Sequence, residues 1–251
     1  MKKLLFGVSC ASLFVVLPVF AGPPLGKSSP TSVAMERIWK VMNQQSFEAK
    51  IVMTVTPGKT SEAASPSHNP GPMDMLMTMS EGKSRVEMDF SRMMGGVAAG
   101  KGGMPPGLDK MVTISRPDKK VIYQVVPGLS AYCEMPIPDV SAGKSAPSKI
   151  DRTVEGNEKV QSYNCEKVRN TITTADGKTV TVLTWEAKEL KGFPVKMETE
   201  TPEGRMTMLF QDIKTTKPPR SVFEPPEGYT KYGSMQELMM SGMMKMMPKT
   251  E

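Results

Sequence analysis

The sequence is poor in the residues and motifs on which common enzyme classes depend. It contains one histidine among 251 residues, and that residue, His68, lies in the Pro/Ser-rich segment SEAASPSHNPGP. No G-x-S-x-G motif is present, so the chain lacks the nucleophile turn of the α/β-hydrolases. Three G-K-[ST] triplets, beginning at Gly58, Gly82 and Gly143, lack the glycine that opens a P-loop five residues earlier. We therefore predict a protein that is not an enzyme and that carries no cofactor.

Charge of one sign is not in large excess. The net charge is +6, and it falls to +4 without residues 1–21, which contain two lysines and no acid. The basic residues are scattered, whereas nucleic-acid binding proteins usually concentrate them in a patch. We predict no nucleic-acid partner and only peripheral contact with a membrane.

Long hydrophobic runs are also rare, and the one present is at the N-terminus. Residues 4–20 carry no charge, follow two lysines, contain Pro18 and precede a small residue, Ala21. This pattern is typical of a cleaved secretory signal peptide, and the run is short for a retained membrane span. We predict a signal peptide over 1–21, a flexible segment over 22–30 and a periplasmic location.

Cysteine is scarce, and only Cys133 and Cys165 remain after cleavage. An oxidising compartment favours pairing of two such residues. A disulfide closing this loop would stabilise the fold by about 3–4 kcal/mol in the chain-entropy account. The alternative, a redox or metal pair, has no C-x-x-C motif to support it.

Apolar periodicity predicts one helix followed by many strands. Met35, Ile38, Trp39 and Met42 recur at helical spacing, which indicates an amphipathic helix before residue 45. From Phe47 onward apolar residues alternate with polar ones, and short turns such as SEGK, RPDKK and TPEG separate neighbouring segments. These features predict a mainly β (α+β) fold. Its strongly curved antiparallel sheet, or half-barrel, has an N-terminal helix on the concave side and a Met-rich C-terminal helix.

Two segments resemble a known superfamily. They are SVFEPPEGYTKY, most specific at Phe223–Tyr229, and WEAKELKGFPVKMET; a helix leading into SFEAKIVM and the series of hairpins add to them. Over roughly residues 31–232 the chain resembles exported domains of unknown function related to the outer-membrane lipoprotein carriers and sorting proteins (LolA/LolB-like). The resemblance implies a half-barrel that shelters acyl chains or an apolar peptide in the periplasm. It also implies an arginine in the cavity. Alternation instead places the nearest candidate, Arg85, on the face opposite Val86 and Met88.

Methionine is abundant, with 24 residues. Met73, Met75, Met77 and Met79 share one strand face, and Met206 and Met208 share another with Phe210. Such side chains form either an ordinary core or an adaptable lining for a hydrophobic ligand, because the thioether chain is unbranched and polarizable. The candidate ligand-binding residues are Trp39, Met42, Met53, Met75, Met77, Met88, Met208 and Phe210.

The last segment, residues 233–251, forms a predicted Met-rich helix or tail. Ser234 and Glu237 have the spacing of a capping box. The helix is apolar around most of its circumference, so we expect it to cover the open half-barrel or to contact another protein or a membrane. Soft thioethers also suit Cu(I) or Ag(I). The alternative metal ligands are Met240, Met243, Met244 and Met247.

The sequence thus predicts a non-enzymatic periplasmic protein that binds a lipid acyl chain or a lipoprotein through the half-barrel domain, residues 31–232. Two alternatives remain open: Cu(I)/Ag(I) binding by the methionines, and a protein-interaction or sensor module of the same fold with an envelope protein partner.

Overall fold

The computed structural model describes residues 42, 45–57, 71–91, 107–137, 149–173, 177, 179–201 and 204–246. The predicted signal peptide, the segment 22–30 and the N-terminal helix lie outside these residues, apart from Met42, which is helical and buried. The strands of the described chain are β1 (Phe47–Pro57), β2 (Met73–Ser80), β3 (Lys83–Asp89), β4 (Lys110–Arg116), β5 (Val121–Val126), β6 (Ala131–Pro136), β7 (Lys149–Val160), β8 (Tyr163–Thr173), β9 (Thr179–Ala187), β10 (Phe193–Thr201), β11 (Gly204–Lys214) and β12 (Thr230–Tyr232).

These strands form one curved sheet that is not closed. The strand order is β12-β6-β5-β4-β3-β2-β1-β11-β10-β9-β8-β7. Neighbours pair antiparallel except β12, which runs parallel to β6. The prediction of a mainly β curved sheet is confirmed, but the prediction of a wholly antiparallel sheet is wrong. The physical reason is the long connection from β11 to β12, which reaches the distant sheet edge and enters it in the direction of β6.

Tight turns set the register of the hairpins, as their sequences predict. Glu81 and Gly82 between β2 and β3 both have positive φ angles, 52° and 77°. Two such residues are typical of a type I′ turn, whose twist matches that of the flanking strands. The register then places Met75 opposite Met88 and Met77 opposite Val86.

The connection from β11 to β12 packs on the sheet through Phe223. The short 3-10 helix Arg220–Phe223 brings this ring to 2% exposure, and it lies in an apolar cluster with strands β4 and β5. The other buried members of that cluster are Val112, Ile114, Tyr123 and Val125. Strand register places them on the face of the sheet that points away from Met77 and Val86. The FEPPEGY segment therefore covers the outer face of β4 and β5.

Ion pairs hold the same segment to the β4–β5 turn. The buried Arg116 side chain donates two hydrogen bonds of 2.9 Å to Asp118, one of 3.2 Å to the Phe223 carbonyl, and pairs with Glu224. Lys119 donates to both carboxylate oxygens of Glu224. Burial raises the pKa of Glu224, but the bonds from Lys119 and Arg116 outweigh this and lower it overall.

This network predicts a loss of stability in acid. The hydrogen bond from Arg116 lowers the pKa of Asp118 to about 2. An ordinary aspartate has a pKa of about 4, so the stabilising contribution of Asp118 is complete above about pH 4 and is lost as the pH falls toward about 2. We expect Asp118→Asn to make the fall in the free energy of unfolding shallower in that window, as measured by urea unfolding at several pH values. An identical slope for both proteins would show that Asp118 does not contribute.

A C-terminal helix, α1 (Met235–Met246), lies against β6 and β12. The predicted capping box is present: Ser234 Oγ accepts from the Glu237 amide at 3.1 Å, and Glu237 accepts from the Gly233 amide at 2.9 Å. Leu238 is fully buried against Val126 and Cys133. No helix of the described chain has the length and apolarity that a membrane crossing requires.

Glycine allows α1 to approach the β5–β6 turn closely. A Cβ atom on Gly242 would lie 2.4 Å from the Leu129 side chain. Gly242 weakens the helix intrinsically, and this contact supplies the packing reason for it.

The predicted disulfide is wrong. Cys133 and Cys165 are both free and buried. They belong to separate apolar clusters, on β6 and β8, and eight strands lie between β6 and β8 in the sheet order. A disulfide requires Cα atoms about 4.4–6.8 Å apart. Burial instead raises the pKa of each thiol, which keeps both protonated.

Candidate ligand-binding site

The largest apolar cluster of the molecule is dominated by methionine. Nine of its twenty buried residues are methionines, and most of them extend from the same side of five adjacent strands. We call this surface the methionine face. It is defined by Met53, Met73, Met75, Met77, Met79, Met88, Met197 and Met208.

The methionines are ordered in rows that cross the sheet. Met53 is directly opposite Met73 on one side and Met208 on the other, and Met208 is opposite Met197. Directly opposed residues of antiparallel strands have Cβ atoms about 4.5–5.5 Å apart, so these four side chains are neighbours. One row therefore consists of methionine alone across β2, β1, β11 and β10.

Aromatic rings border the methionine face. Phe193 lies edge-on to Phe47, with ring centroids 4.8 Å apart, and edge-on to Phe210 at 5.4 Å. All three rings are at most 1% exposed. Their contacts fix the β10 end of the face, while the methionines next to them retain several low-energy rotamers.

At the opposite strand ends the apolar face reaches the solvent. Val55 follows Met53 on the same face and is opposite Met206, which in turn is opposite Thr199. Val55 is 39% exposed, whereas Met53 is 5% exposed. We call Val55 and Met206 the rim; Thr199, opposite Met206 on β10, is 3% exposed and ends this row inside the fold.

Seven of the eight candidate ligand-binding residues come together in this cluster. Met42, Met53, Met75, Met77, Met88, Met208 and Phe210 are at most 5% exposed. Trp39 lies outside the described residues. Sequence reasoning did not include Phe193 and Met197 among the candidates, although the alternation in GFPVKMETE contained the signal for both.

Arg85 lies on the opposite side of the sheet, as alternation predicts. Its guanidinium pairs with Glu87 at 2.8 Å and donates to the Val222 carbonyl at 3.3 Å. It therefore helps to hold the FEPPEGY segment and does not face the methionines.

A charged depression lies across from the methionine face, on the outer side of β1, β2 and β11. Its volume is about 330 Å³, and its lining includes an ion pair of 2.8 Å between Lys214 and Glu48. Within the described ranges, no group of three or more His, Cys, Asp or Glu side chains is arranged to hold a metal ion.

The alternative metal ligands of the tail are only partly described. Met240 and Met244 lie one helical turn apart on α1 and are 57% and 69% exposed. Met243 lies in the same helix, and Met247 lies outside the described residues. Two thioethers of the predicted set thus share an exposed helix face.

These differences in exposure predict selective oxidation. Hydrogen peroxide converts an accessible thioether to a sulfoxide, with water as the other product. In the folded protein we expect Met240 and Met244 to be oxidised at least about tenfold faster than Met77 and Met79, which are at most 1% exposed. Peptide mass spectrometry after timed exposure measures this, with the guanidinium-unfolded chain as control. Equal rates in the folded protein would contradict the burial of the methionine face.

The WEAKELKGFPVKMET block forms the antiparallel hairpin of β9 and β10. β9 and β10 flank a short 3-10 helix, Lys188–Leu190. The Trp185 indole N–H donates a hydrogen bond of 2.7 Å to the Glu158 carboxylate, and the Lys196 ammonium lies 4.1 Å from the centroid of the Trp185 ring.

The sequence over residues 70–191 and 173–229, which contains this block and the FEPPEGY segment, matches the domain of unknown function DUF4412. The chain belongs to the DUF4412 family. The resemblance inferred from the sequence is thereby confirmed at the level of the family.

Solved structures to which the chain is similar include a mycobacterial lipoprotein, a LolA superfamily protein and MucB. The lipoprotein LppX of Mycobacterium tuberculosis has 10% identity and a TM-score of 0.42, over 76% of this chain and 99% of its own. A LolA superfamily protein from Nitrosomonas europaea has 11% identity and a TM-score of 0.38, over 72% and 90%. MucB in complex with MucA(peri) has 12% identity and a TM-score of 0.42, over 79% and 61%. No curated protein matches the DUF4412 chain by sequence.

Proposed function

We propose that this DUF4412 protein is a non-enzymatic carrier of the cell envelope that binds the acyl chain of a lipid or lipoprotein against its methionine face. The observation that carries the proposal is the unbroken buried row Met73, Met53, Met208 and Met197, together with the exposed Val55, which follows Met53 on the same face of β1. Flexible apolar side chains that extend from the buried interior to the surface along β1 suit the entry of a linear hydrocarbon.

The choice of methionine supports this role physically. Leucine or isoleucine would fill the same volume with stiffer, branched side chains. Methionine has three rotatable bonds and a polarizable sulfur, so the same face can adapt to chains of different length and unsaturation. Each methylene transferred from water contributes about 0.8 kcal/mol, so an acyl chain gains affinity from contact area without any polar contact.

The experiment alters the rim and leaves the buried face unchanged. Val55→Glu introduces a carboxylate at a position that is 39% exposed, so the fold is retained while the first part of the apolar path becomes charged. Exclusion of about two methylenes weakens binding by about tenfold. The affinity for cis-parinaric acid, a fluorescent fatty acid, measures the effect.

Val154→Glu is the matched control. Val154 is 48% exposed on β7 and lies outside the methionine cluster. Its substitution is expected to leave the affinity unchanged within twofold, as is Arg85→Gln on the outer face. Failure of the wild-type protein to bind the probe, or equal weakening by Val55→Glu and Val154→Glu, would contradict the proposal.

A second candidate function rests on the exposed pair Met240 and Met244. Thioethers one helical turn apart present two soft ligands to Cu(I) or Ag(I). Titration with Ag(I), followed by native mass spectrometry, is expected to show an adduct that the double substitution of both residues by leucine removes. An adduct that persists in this variant would place the metal elsewhere.

A further inference from the structure

Four buried polar residues lie next to the methionine face, on the same side of the sheet. Thr113 is 2% exposed and Gln124 is 7% exposed, and the Thr113 hydroxyl donates to the Gln124 side-chain carbonyl at 3.0 Å. Ser84 and Ser115 are 1% and 5% exposed. We call these four residues the polar band.

Strand register places the polar band on the same side of the sheet as the methionines. Met77 is opposite Val86, Val86 is opposite Thr113, and Thr113 is opposite Gln124. In the adjacent row Ser84 lies between Met79 and Ser115. With strands about 4.8 Å apart, Thr113 lies about 10 Å from Met77 along the row.

The band is bounded by apolar residues on both sides. Beyond Gln124 the row continues to Cys133, which packs in one cluster with Leu238 of α1. From β2 to β6, this side of the sheet is therefore apolar, then polar, then apolar again. Valine or leucine at these positions would fill the same face without burying hydroxyl and amide groups, which lose their hydrogen bonds to water when the chain folds.

We propose that the polar band is a subsite for the ester or amide linkage of an acylated ligand whose hydrocarbon chain lies along the methionine face. This inference rests on the proposed function and names its ligand class. The Ser84 and Ser115 hydroxyls and the Gln124 amide N–H groups donate to the linkage carbonyl, while the Thr113 hydroxyl orients the Gln124 amide by donating to its carbonyl oxygen. The neighbouring methionines contact the chain. A lipid and a lipoprotein share this chemistry, because both carry acyl chains in such linkages.

The experiment compares an ester with a hydrocarbon. Methyl palmitate and a straight-chain alkane of equal length compete with bound cis-parinaric acid. The wild-type protein is expected to bind the ester about tenfold more tightly, as one or two hydrogen bonds to the carbonyl provide. The double variant Thr113→Val/Gln124→Leu is expected to bind both competitors equally, with the affinity for the alkane unchanged within twofold.

Thr78→Val is the matched control. Thr78 is 3% exposed, but it lies opposite Arg85 on the outer face of the sheet. This variant removes a buried threonine hydroxyl away from the methionine face, and we expect it to keep the tenfold preference for the ester over the alkane.

Infrared spectroscopy measures the carbonyl of the bound ligand, whose frequency would not change if the polar band had only a structural role. With a 13C-labelled ester, the carbonyl stretch in the wild-type complex is expected to be shifted to lower frequency relative to the same ester in an alkane solvent, as hydrogen-bonded carbonyls are. An unshifted carbonyl, or an ester preference retained in the double variant, overturns the inference. The wild-type spectrum decides this even if the double variant does not fold, and Thr113→Ser retains the hydroxyl as a milder variant.

The outcomes separate the inference from the function on which it rests. A wild-type protein that binds neither competitor contradicts the carrier function itself. One that binds both equally contradicts only the polar subsite. Competition by a phospholipid and by a synthetic diacylated lipopeptide with matching chains then identifies the source, and both ligands are expected to bind more weakly to the double variant.

Discussion

Phe223→Ala is expected to lower the free energy of unfolding by about 3–5 kcal/mol, as the removal of a buried phenylalanine ring usually does. The ring is 2% exposed among Val112, Ile114, Tyr123 and Val125, and it is the one buried residue of its 3-10 helix. Domains of this kind are stable by only about 5–15 kcal/mol in total, so the loss is a large share. Urea unfolding of the variant and the wild-type protein measures it.

Phe223→Leu is the control for this prediction. A smaller apolar side chain keeps most of the contacts and is expected to cost less than about 1.5 kcal/mol. A loss below about 1 kcal/mol for the alanine variant would show that the FEPPEGY segment does not depend on its ring to cover β4 and β5.

Gly128→Ala is expected to destabilise the protein by about 2–3 kcal/mol, because two backbone segments touch at this residue. A Cβ atom on Gly128 would lie 2.3 Å from Gly107 Cα and 2.4 Å from the Gly107 carbonyl oxygen. Backbone atoms cannot rotate away as the end of a side chain can, so the segment before β4 or the β5–β6 turn must shift. Leu129, the next residue, packs against Gly242, so the shift is also expected to loosen α1.

Gly82→Ala is the matched control for the clash. Gly82 has no atom within 4 Å of an added Cβ, but its φ of +77° is strained for alanine. It is expected to cost about 1 kcal/mol from backbone strain alone. Equal losses for the two variants in thermal and urea unfolding would contradict the close contact between Gly107 and Gly128.

Local alternation was sufficient for the strands that form the methionine face. Apolar residues recur at every second position of β1, β2 and β3, and the side that they bury fixes the register. The same reasoning predicted that Arg85 points away from the methionines. The polar band was not predictable in this way, because the apolar positions of MVTIS are Val112 and Ile114, and only the pairing of β4 with β3 places Thr113 beside Val86.

Features that depend on pairing between segments far apart in the chain could not be predicted from the sequence. Apolar alternation is absent from KIDRTVEGNEKV, so no strand is predicted over Lys149–Val160. This segment is β7, an exposed edge strand defined by its pairing with β8 and interrupted by a bulge at Gly156. The disulfide prediction was wrong for a related reason. The rule that two cysteines pair in an oxidising compartment takes no account of the eight strands that lie between β6 and β8.

The measurement that tests the central claim most directly is native mass spectrometry of the protein purified from its own cell envelope without detergent exchange. The account predicts a population heavier than the polypeptide by the mass of an acylated lipid or acylated peptide, and a much smaller bound fraction for Val55→Glu purified in parallel. A bare polypeptide mass that stays bare after incubation with phospholipid vesicles and with a diacylated lipopeptide would contradict it. The methionine face would then be a core filled by the protein's own side chains.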